Sequence, residues 1–293
     1  MNCIRPKRRV HVRKLGILCL LSLLVPWATP QSLQLSPREL VRTAIQNEQK
    51  DDSNKSVLFT WKQRKYRGAQ SRVEQIVDTP AGAVSQVLLI DDKPLNAAQR
   101  AEDDEHIRKM TEPSQMRRKD KERRADDERT RRMLSTIPDA FDFTYSASTL
   151  APNGHKLTRL KFVPRPGFAP PSREAMVFTG MEGELVVDET AGRLAKVNGT
   201  LVKDVNFGWG VLGKLYKGGH FVVEQSEVSP SHWDTTRMIL HFEGKALLFK
   251  SIHIDDNETS WDFKAVQPMS VEQAVDFLHR REHPEQNASL LRP

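Results

Sequence analysis

Only two cysteines occur in the 293 residues, Cys3 and Cys19, and both fall in the first thirty positions. The remainder of the chain has no thiol, which excludes disulfide frameworks, cysteine–zinc centres and cysteine nucleophiles from the body of the protein. No G-x-S-x-G nucleophile elbow occurs, and Ser231, His232 and Asp234 are too close in sequence to act as nucleophile, base and orienter. The histidines at 220, 232, 241 and 253 form no helical His-x-x-x-His pair among themselves, so solvated or hydrogen-bonded strand histidines are expected and no metal. Excess charge is also missing. The net +7 comes almost wholly from the first thirty residues, which hold six basic and no acidic groups and leave 39 basic against 38 acidic groups beyond them. A nearly neutral body has no electrostatic footprint for phosphates, and nucleic-acid binding is excluded.

The opening segment has the order of a signal peptide. Arg5, Lys7, Arg8, Arg9, Arg13 and Lys14 precede an apolar run from Leu15 to Val25, followed by Pro26-Trp27-Ala28-Thr29-Pro30. That run is shorter than the about 20 residues a bilayer span needs. Residues 1–30 are therefore read as an export signal cleaved near Ala28 to Ser32, with membrane contact through residues 15–28 if it stays uncleaved. Leu18 before Cys19 is too large for a lipidation motif, and His11 is polar where a twin-arginine signal wants an apolar residue. The expected location is the periplasm or another exported compartment, and residues 31–293 form one β-rich domain.

Ser36-Pro37-Arg38-Glu39 is a helix start: serine caps, glutamate returns the bond, and proline loses nothing at the first helical position. Leu40, Val41, Ala44 and Ile45 then make an apolar face. From Val57 the period becomes that of strands, Val57 to Arg67, Arg72 to Asp78 and Ala83 to Ile90, with a turn at Asp91-Asp92. Asn96 opens a charged helical insertion, residues 96–134, holding twelve basic and ten acidic residues between Gln99 and Leu134. Interleaved charges support a solvated helix through i,i+4 pairs, and Glu112-Pro113-Ser114 interrupts it. Strands are expected again at Phe141 to Ser148, Leu157 to Val163, Met176 to Thr179, Gly183 to Asp188, Arg193 to Val202, His220 to Val228, Thr235 to Phe242, Ala246 to Ile254 and Thr259 to Val266. Asn198-Gly199, Glu243-Gly244 and Asp255-Asp256 read as turns between them. Ser270 caps a last helix, with Val271, Ala274, Val275 and Leu278 on one face.

Phe162-Val163-Pro164, then Gly183-Glu184-Leu185-Val186-Val187-Asp188 and Gly192-Arg193-Leu194, give the pattern G-x-L-x-V-D-x-x-x-G-R-L. This pattern resembles the superfamily of periplasmic outer-membrane lipoprotein-sorting carriers (the LolA/LolB/RseB-like superfamily). The resemblance implies an α+β fold: a strongly curved antiparallel β-sheet, an unclosed half-barrel, covered on its concave side by helices that leave room for an acyl chain.

Between Val205 and Gly219 lie five glycines among aromatic and aliphatic residues. Phe207, Trp209, Leu212 and Tyr216 are the candidate ligand-binding residues, on a loop at the mouth of a pocket. The other reading of this stretch is an apolar connection packed under the sheet. Gly208, Gly210 and Gly213 fit G-x-G-x-x-G without the strand–helix unit that a phosphate loop requires. The functional expectation is an exported, non-catalytic, cofactor-free protein. It would bind a hydrophobic ligand, lipid or lipoprotein acyl chain, as in outer-membrane lipoprotein sorting. The alternative is an envelope sensor or scaffold that holds another envelope protein through its charged helical arm.

Overall fold

Ser36 opens the first helix as its sequence demands: its amide donates to Glu39 Oε2 at 3.0 Å, and its Oγ accepts from the Glu39 amide at 3.3 Å. The structure, a computed structural model, describes residues 35–52, 57–207, 213–246 and 250–280. The signal segment, Trp209 and Leu212 lie outside the described residues. Helix α1 spans Pro37–Asp52 and leads to strands β1 (Leu58–Arg67), β2 (Gln70–Val77), β3 (Val84–Ile90) and the two-residue β4 (Lys93–Pro94). Asp91 and Asp92, at φ 50° and 60°, form the two-residue turn between Ile90 and Lys93, a left-handed pair that aspartate tolerates. Helices α2 (Ala97–Met110) and α3 (Pro113–Ala140) follow. Next come β5 (Phe141–Leu150), β6 (Lys156–Pro164), a 3₁₀ helix (Glu174–Gly180), β7 (Met181–Asp188) and β8 (Arg193–Leu201). Strands β9 (Val205–Phe207), β10 (Gly213–Leu215), β11 (His220–Ser229), β12 (His232–Ala246) and β13 (Lys250–Val266) precede helix α4 (Val271–Arg280).

The strands form one antiparallel sheet in the order β4-β3-β2-β1-β13-β12-β11-β8-β7-β6-β5, with β9 and β10 hairpinned against the end of β12. It is not closed, because β4 and β5 are opposite edges. The α+β class is thus established, with a large unclosed antiparallel sheet and separate helices. Leu160, Leu185, Val197 and Val223 stand in register across β6, β7, β8 and β11. On that face α1 lays Leu40, Val41, Ala44 and Ile45 into the main core, beside Phe141, Phe162, Phe178 and Leu201. Following the register into β1 and β2 places Val77 and Val84 on the opposite face. There they pack with Ile107 of α2 and with Ala274 and Leu278 of α4.

Four local expectations change. Met176 to Thr179 is a 3₁₀ turn rather than a strand: Ala175 and Phe178, three apart, are both buried, and a short apolar run does not by itself distinguish the two. Asn198-Gly199 lies inside β8, not in a turn, because Gly199 supplies space. A Cβ there would sit 2.5 Å from the Phe221 ring and 3.0 Å from Met181 Sδ. Glu243-Gly244 lies inside β12 and Asp255-Asp256 inside β13, so the two expected strands Ala246 to Ile254 and Thr259 to Val266 merge, with Ala246 ending β12. Lys250 to Asp256 pair with β12 but lie beyond the stretch paired with β1, so charged side chains there remain in water. Finally the helical insertion runs on to Ala140 with Pro138 inside it. Met133, Leu134 and Ile137 pack on the core, and Pro138 and Ala140 are themselves buried, which offsets the hydrogen bond proline removes.

Helix α2 protects an edge. Beyond the short β4, the Val87 amide of β3 donates to Asp103 Oδ2 at 3.0 Å, so a strand edge that would otherwise recruit another chain is capped. Burial raises the Asp103 pKa, against the lowering effects of the Val87 hydrogen bond and His106. The folded state therefore holds this proton more tightly than the unfolded state. Its contribution to stability is greatest below the ordinary aspartate value of 3.8 and declines as pH rises from there through the raised value. Asp103→Asn, which keeps an acceptor and discards the charge, is expected to match or exceed the wild type in urea midpoint at pH 7. Asp103→Ala should lose about 1–3 kcal/mol by orphaning the amide. A lower midpoint for the asparagine variant would refute this account.

Candidate functional site

The segment Asp188 to Leu194, which carries most of the sequence pattern, is a latch for α1. Asp188 is 2% exposed. Its Oδ1 accepts the Ala191 amide at 2.9 Å and its Oδ2 lies 2.7 Å from His155 Nδ1, so the carboxylate is engaged in shaping the β7–β8 turn. Gly192 then takes φ 66°, and a Cβ on it would meet Asn47 Nδ2 at 2.7 Å. Absence of that Cβ lets Asn47 donate to the Gly192 carbonyl at 3.0 Å. One residue on, the Arg193 guanidinium approaches Glu48 at 3.2 Å, each side chain being 10% exposed. Glu48 also accepts the Leu194 amide at 3.1 Å. Turn, glycine, arginine and leucine thus each fix the last two turns of α1 to the sheet. These residues position the helix.

A second feature lies on the same sheet face where α1 does not reach. Strands β12 and β13 pair from Ala246–Lys250 to Arg237–Thr259 and then part. Beyond the fork β13 stays with β1 and β12 stays with β11. A cleft of about 200 Å³ opens between them, lined by Trp61, Gln63, Met238, Glu258, Ser260 and Phe263 among others. One wall is apolar: the Trp61 and Phe263 rings stack with centroids 5.9 Å apart and planes at 8°. A bulge in β13 makes this possible. Thr60 faces Lys264 while Lys62 faces Trp261, one residue too few on β1, and Asp262 at φ 59° absorbs the difference. Burial opposes ionisation of Asp262, but hydrogen bonds from Lys264 and Lys62 outweigh it and hold the carboxyl below its usual range. Farther along the same two strands the lining is polar, with Gln63 Nε2 donating to Glu258 Oε2 at 3.0 Å and to Ser260 Oγ at 3.3 Å, and the β12 side presents Asp234, Thr235, Arg237 and Met238. Phe59 of β1 and His232 of β12 meet edge to face at 5.7 Å, so past the fork β12 touches β1.

Helix α3, about 42 Å long at 1.5 Å per residue, joins the two ends of the sheet. At its start Met116 Cε lies 3.3 Å from where a Cβ of Gly82 would be, at the β2–β3 turn. At its end it runs along α1, with Gln49 donating to the Arg131 carbonyl and Arg42 to Asp139. Between these contacts residues 121–130 are exposed on every side. Asp120 with Arg123 and Arg124, Arg123 with Asp127, Asp126 with Arg129 and Glu128 with Arg132 hold this stretch together at 2.6–2.8 Å. A helix polar all round, laced by such pairs, is a bridge rather than a packed element.

Of the four residues singled out in the sequence, Phe207 and Tyr216 fall in the described chain. Phe207 packs partly buried on the main core, as Leu215, Phe221 and Phe242 do. Tyr216 donates its amide to the Glu243 carbonyl at 2.8 Å, and Lys214 Nζ lies 5.6 Å from the centre of its ring. Trp61, Phe263 and Met238 were not picked out from the sequence. The signal of Trp61 and Phe263 was available only as aromatics facing each other across strands whose pairing was unknown. Among the described residues no group of three or more metal-binding side chains converges on one point. No helix of the described residues is long and apolar enough to cross a membrane.

No protein-family model matches the chain, and no curated protein matches its sequence. Among solved structures, a DUF1329 family protein from Desulfovibrio piger is similar at 8% identity, over 80% of this chain and 96% of the other, with a TM-score of 0.25.

Proposed function

We propose that this chain is an exported, non-catalytic binding protein of the cell envelope that holds an acyl chain, of a lipid or a lipoprotein, against the α1 face of its sheet. In this reading the sheet curves as a half-barrel, α1 and α3 lie on its concave side, and the fork cleft is the entry to the ligand's seat. The observation that carries it is the stacked Trp61–Phe263 wall in a cleft beside the polar Gln63–Glu258–Ser260 group, an arrangement suited to a molecule with an apolar tail and a polar head. Each methylene that leaves water there contributes about 0.8 kcal/mol.

The cleft is smaller than the about 300–1,000 Å³ of pockets that enclose a whole ligand, so in this reading it takes the end of the molecule and α3 moves aside to admit the rest. Its unpacked middle makes that motion inexpensive. A fluorescent fatty-acid probe titrated into delipidated full chain should bind saturably and quench tryptophan emission. Trp61→Asp, which places a carboxylate in the apolar wall, should weaken binding at least tenfold while the melting temperature changes little. Ala125→Pro, which breaks the bridge at its centre, should speed probe entry. Failure of the wild type to saturate, or equal affinity in Trp61→Asp, overturns the proposal.

A further inference from the structure

On the sheet face opposite α1, at the far end of the β12–β13 hairpin, three histidines from three adjacent strands come together. His220 of β11 is directly opposite His241 of β12, and His241 is directly opposite Asp255 of β13. Two residues along on the same face, Glu243 stands opposite His253. The His220 and His241 ring centroids are 5.4 Å apart with planes inclined at 31°, and His253 meets His241 at 6.2 Å and 88°. His241 Nδ1 lies 3.4 Å from Asp255 Oδ1, and His253 Nδ1 lies 3.8 Å from Glu243 Oε1. The sequence separates these residues by up to 35 positions, and only the register of β11, β12 and β13 makes them one patch.

Imidazole suits the late first-row divalent ions, above all Cu²⁺, then Zn²⁺ and Ni²⁺. A histidine that ligates through one nitrogen commonly engages a carboxylate with the other. His241 has that arrangement: with Nδ1 turned to Asp255, Nε2 is the nitrogen left for a metal. Rings at 5.4 Å on directly opposed residues of a rigid ladder are close enough for both imidazoles to reach one ion through side-chain rotation alone. The side chains of His241 and Asp255 are 37% and 49% exposed, so an ion arrives from solvent with its remaining positions filled by water.

We propose that His220 and His241 form a chelating site for a divalent late first-row metal, Cu²⁺ in preference to Zn²⁺. Asp255 orients His241, and His253 is placed to swing in as a third ligand. The site is on the other side of the sheet from the fork cleft and does not depend on the ligand reading given above. It is a surface-bound ion with open positions rather than an enclosed structural metal; among the described residues no group of three ligands is preformed.

The test uses the full untagged chain with Cys3→Ser and Cys19→Ser, so that no thiol competes, titrated with CuSO₄ and ZnSO₄ by calorimetry. One equivalent of Cu²⁺ should bind, with electron paramagnetic resonance showing nitrogen coupling from imidazole. His220→Gln and His241→Gln should each lower affinity tenfold or more, and Asp255→Asn about ten- to hundredfold. His106→Gln, on α2, should leave it unchanged. The same binding in His220→Gln/His241→Gln as in the parent, or no nitrogen-coupled signal in the parent, overturns the proposal. Should a variant fold poorly, the parent still decides: substoichiometric Cu²⁺ must broaden the ring-proton resonances of His220 and His241 before those of His106 and His155, and the reverse order overturns it.

Discussion

Glu48→Ala is expected to lower the stability of the fold by about 3–5 kcal/mol, the usual consequence of removing one partner from a buried ion pair. Arg193 would keep its charge at 10% exposure with its carboxylate gone, and the Leu194 amide would lose its acceptor. In a chain of this size that is a fall in Tm of roughly 10 °C. Glu48→Gln retains an oxygen for the Leu194 amide and should fall between the two. A double replacement by apolar residues, Glu48→Leu with Arg193→Met, should recover most of the loss, because the isolated charge rather than the missing pair is what destabilises. Thermal melts of the four proteins decide the matter. A Glu48→Ala melt within 2 °C of the wild type would mean that α1 is held by its apolar face alone.

Phe141→Ala should be comparably severe, at about 3–5 kcal/mol for deletion of a large buried ring. Phe141 is 2% exposed. Its ring meets Phe162 at 4.8 Å, Phe178 at 5.3 Å and Phe143 at 6.2 Å, all edge to face. It is also the residue at which α3 ends and β5 begins, so the cavity would open where the bridging helix is anchored. Phe141→Leu, closer in volume, should cost less than half as much by urea denaturation. Equal losses for alanine and leucine would point to ring geometry rather than volume as the stabilising factor. Amide exchange should also show residues 133–140 losing protection in Phe141→Ala, before the strands β1 to β3 do.

Much of the fold was legible because local physics governs it. Ser36, Asn96 and Ser270 each cap a helix with the side-chain bonds their positions imply. Asp91-Asp92 turns, and Pro113 starts a second helix after the first has ended. Strand boundaries failed where a residue served a distant partner. Gly199 reads as a turn former, yet it is in mid-strand because Phe221 and Met181 occupy the space above it. Asp255-Asp256 reads as a turn because two carboxylates favour water, yet a strand at the end of a long hairpin meets water without turning. The fork cleft and the histidine patch could not be read at all, since both depend on which strands are neighbours and in what register.

By itself, then, the sequence determined the absence of thiol chemistry beyond residue 30, the near-neutral charge of the body, the capped helices and most of the strand periodicity. Those properties depend on composition, or on hydrogen bonds between residues three or four apart. Only the tertiary structure decided what the Asp188–Leu194 pattern does, where β12 and β13 part, and that α3 bridges the sheet with its middle in water. Each of those rests on contacts between residues far apart in the chain, such as Glu48 with Arg193 or Trp61 with Phe263. Such contacts form because burial and strand register reward them, and neither has a signature in a window of neighbouring residues.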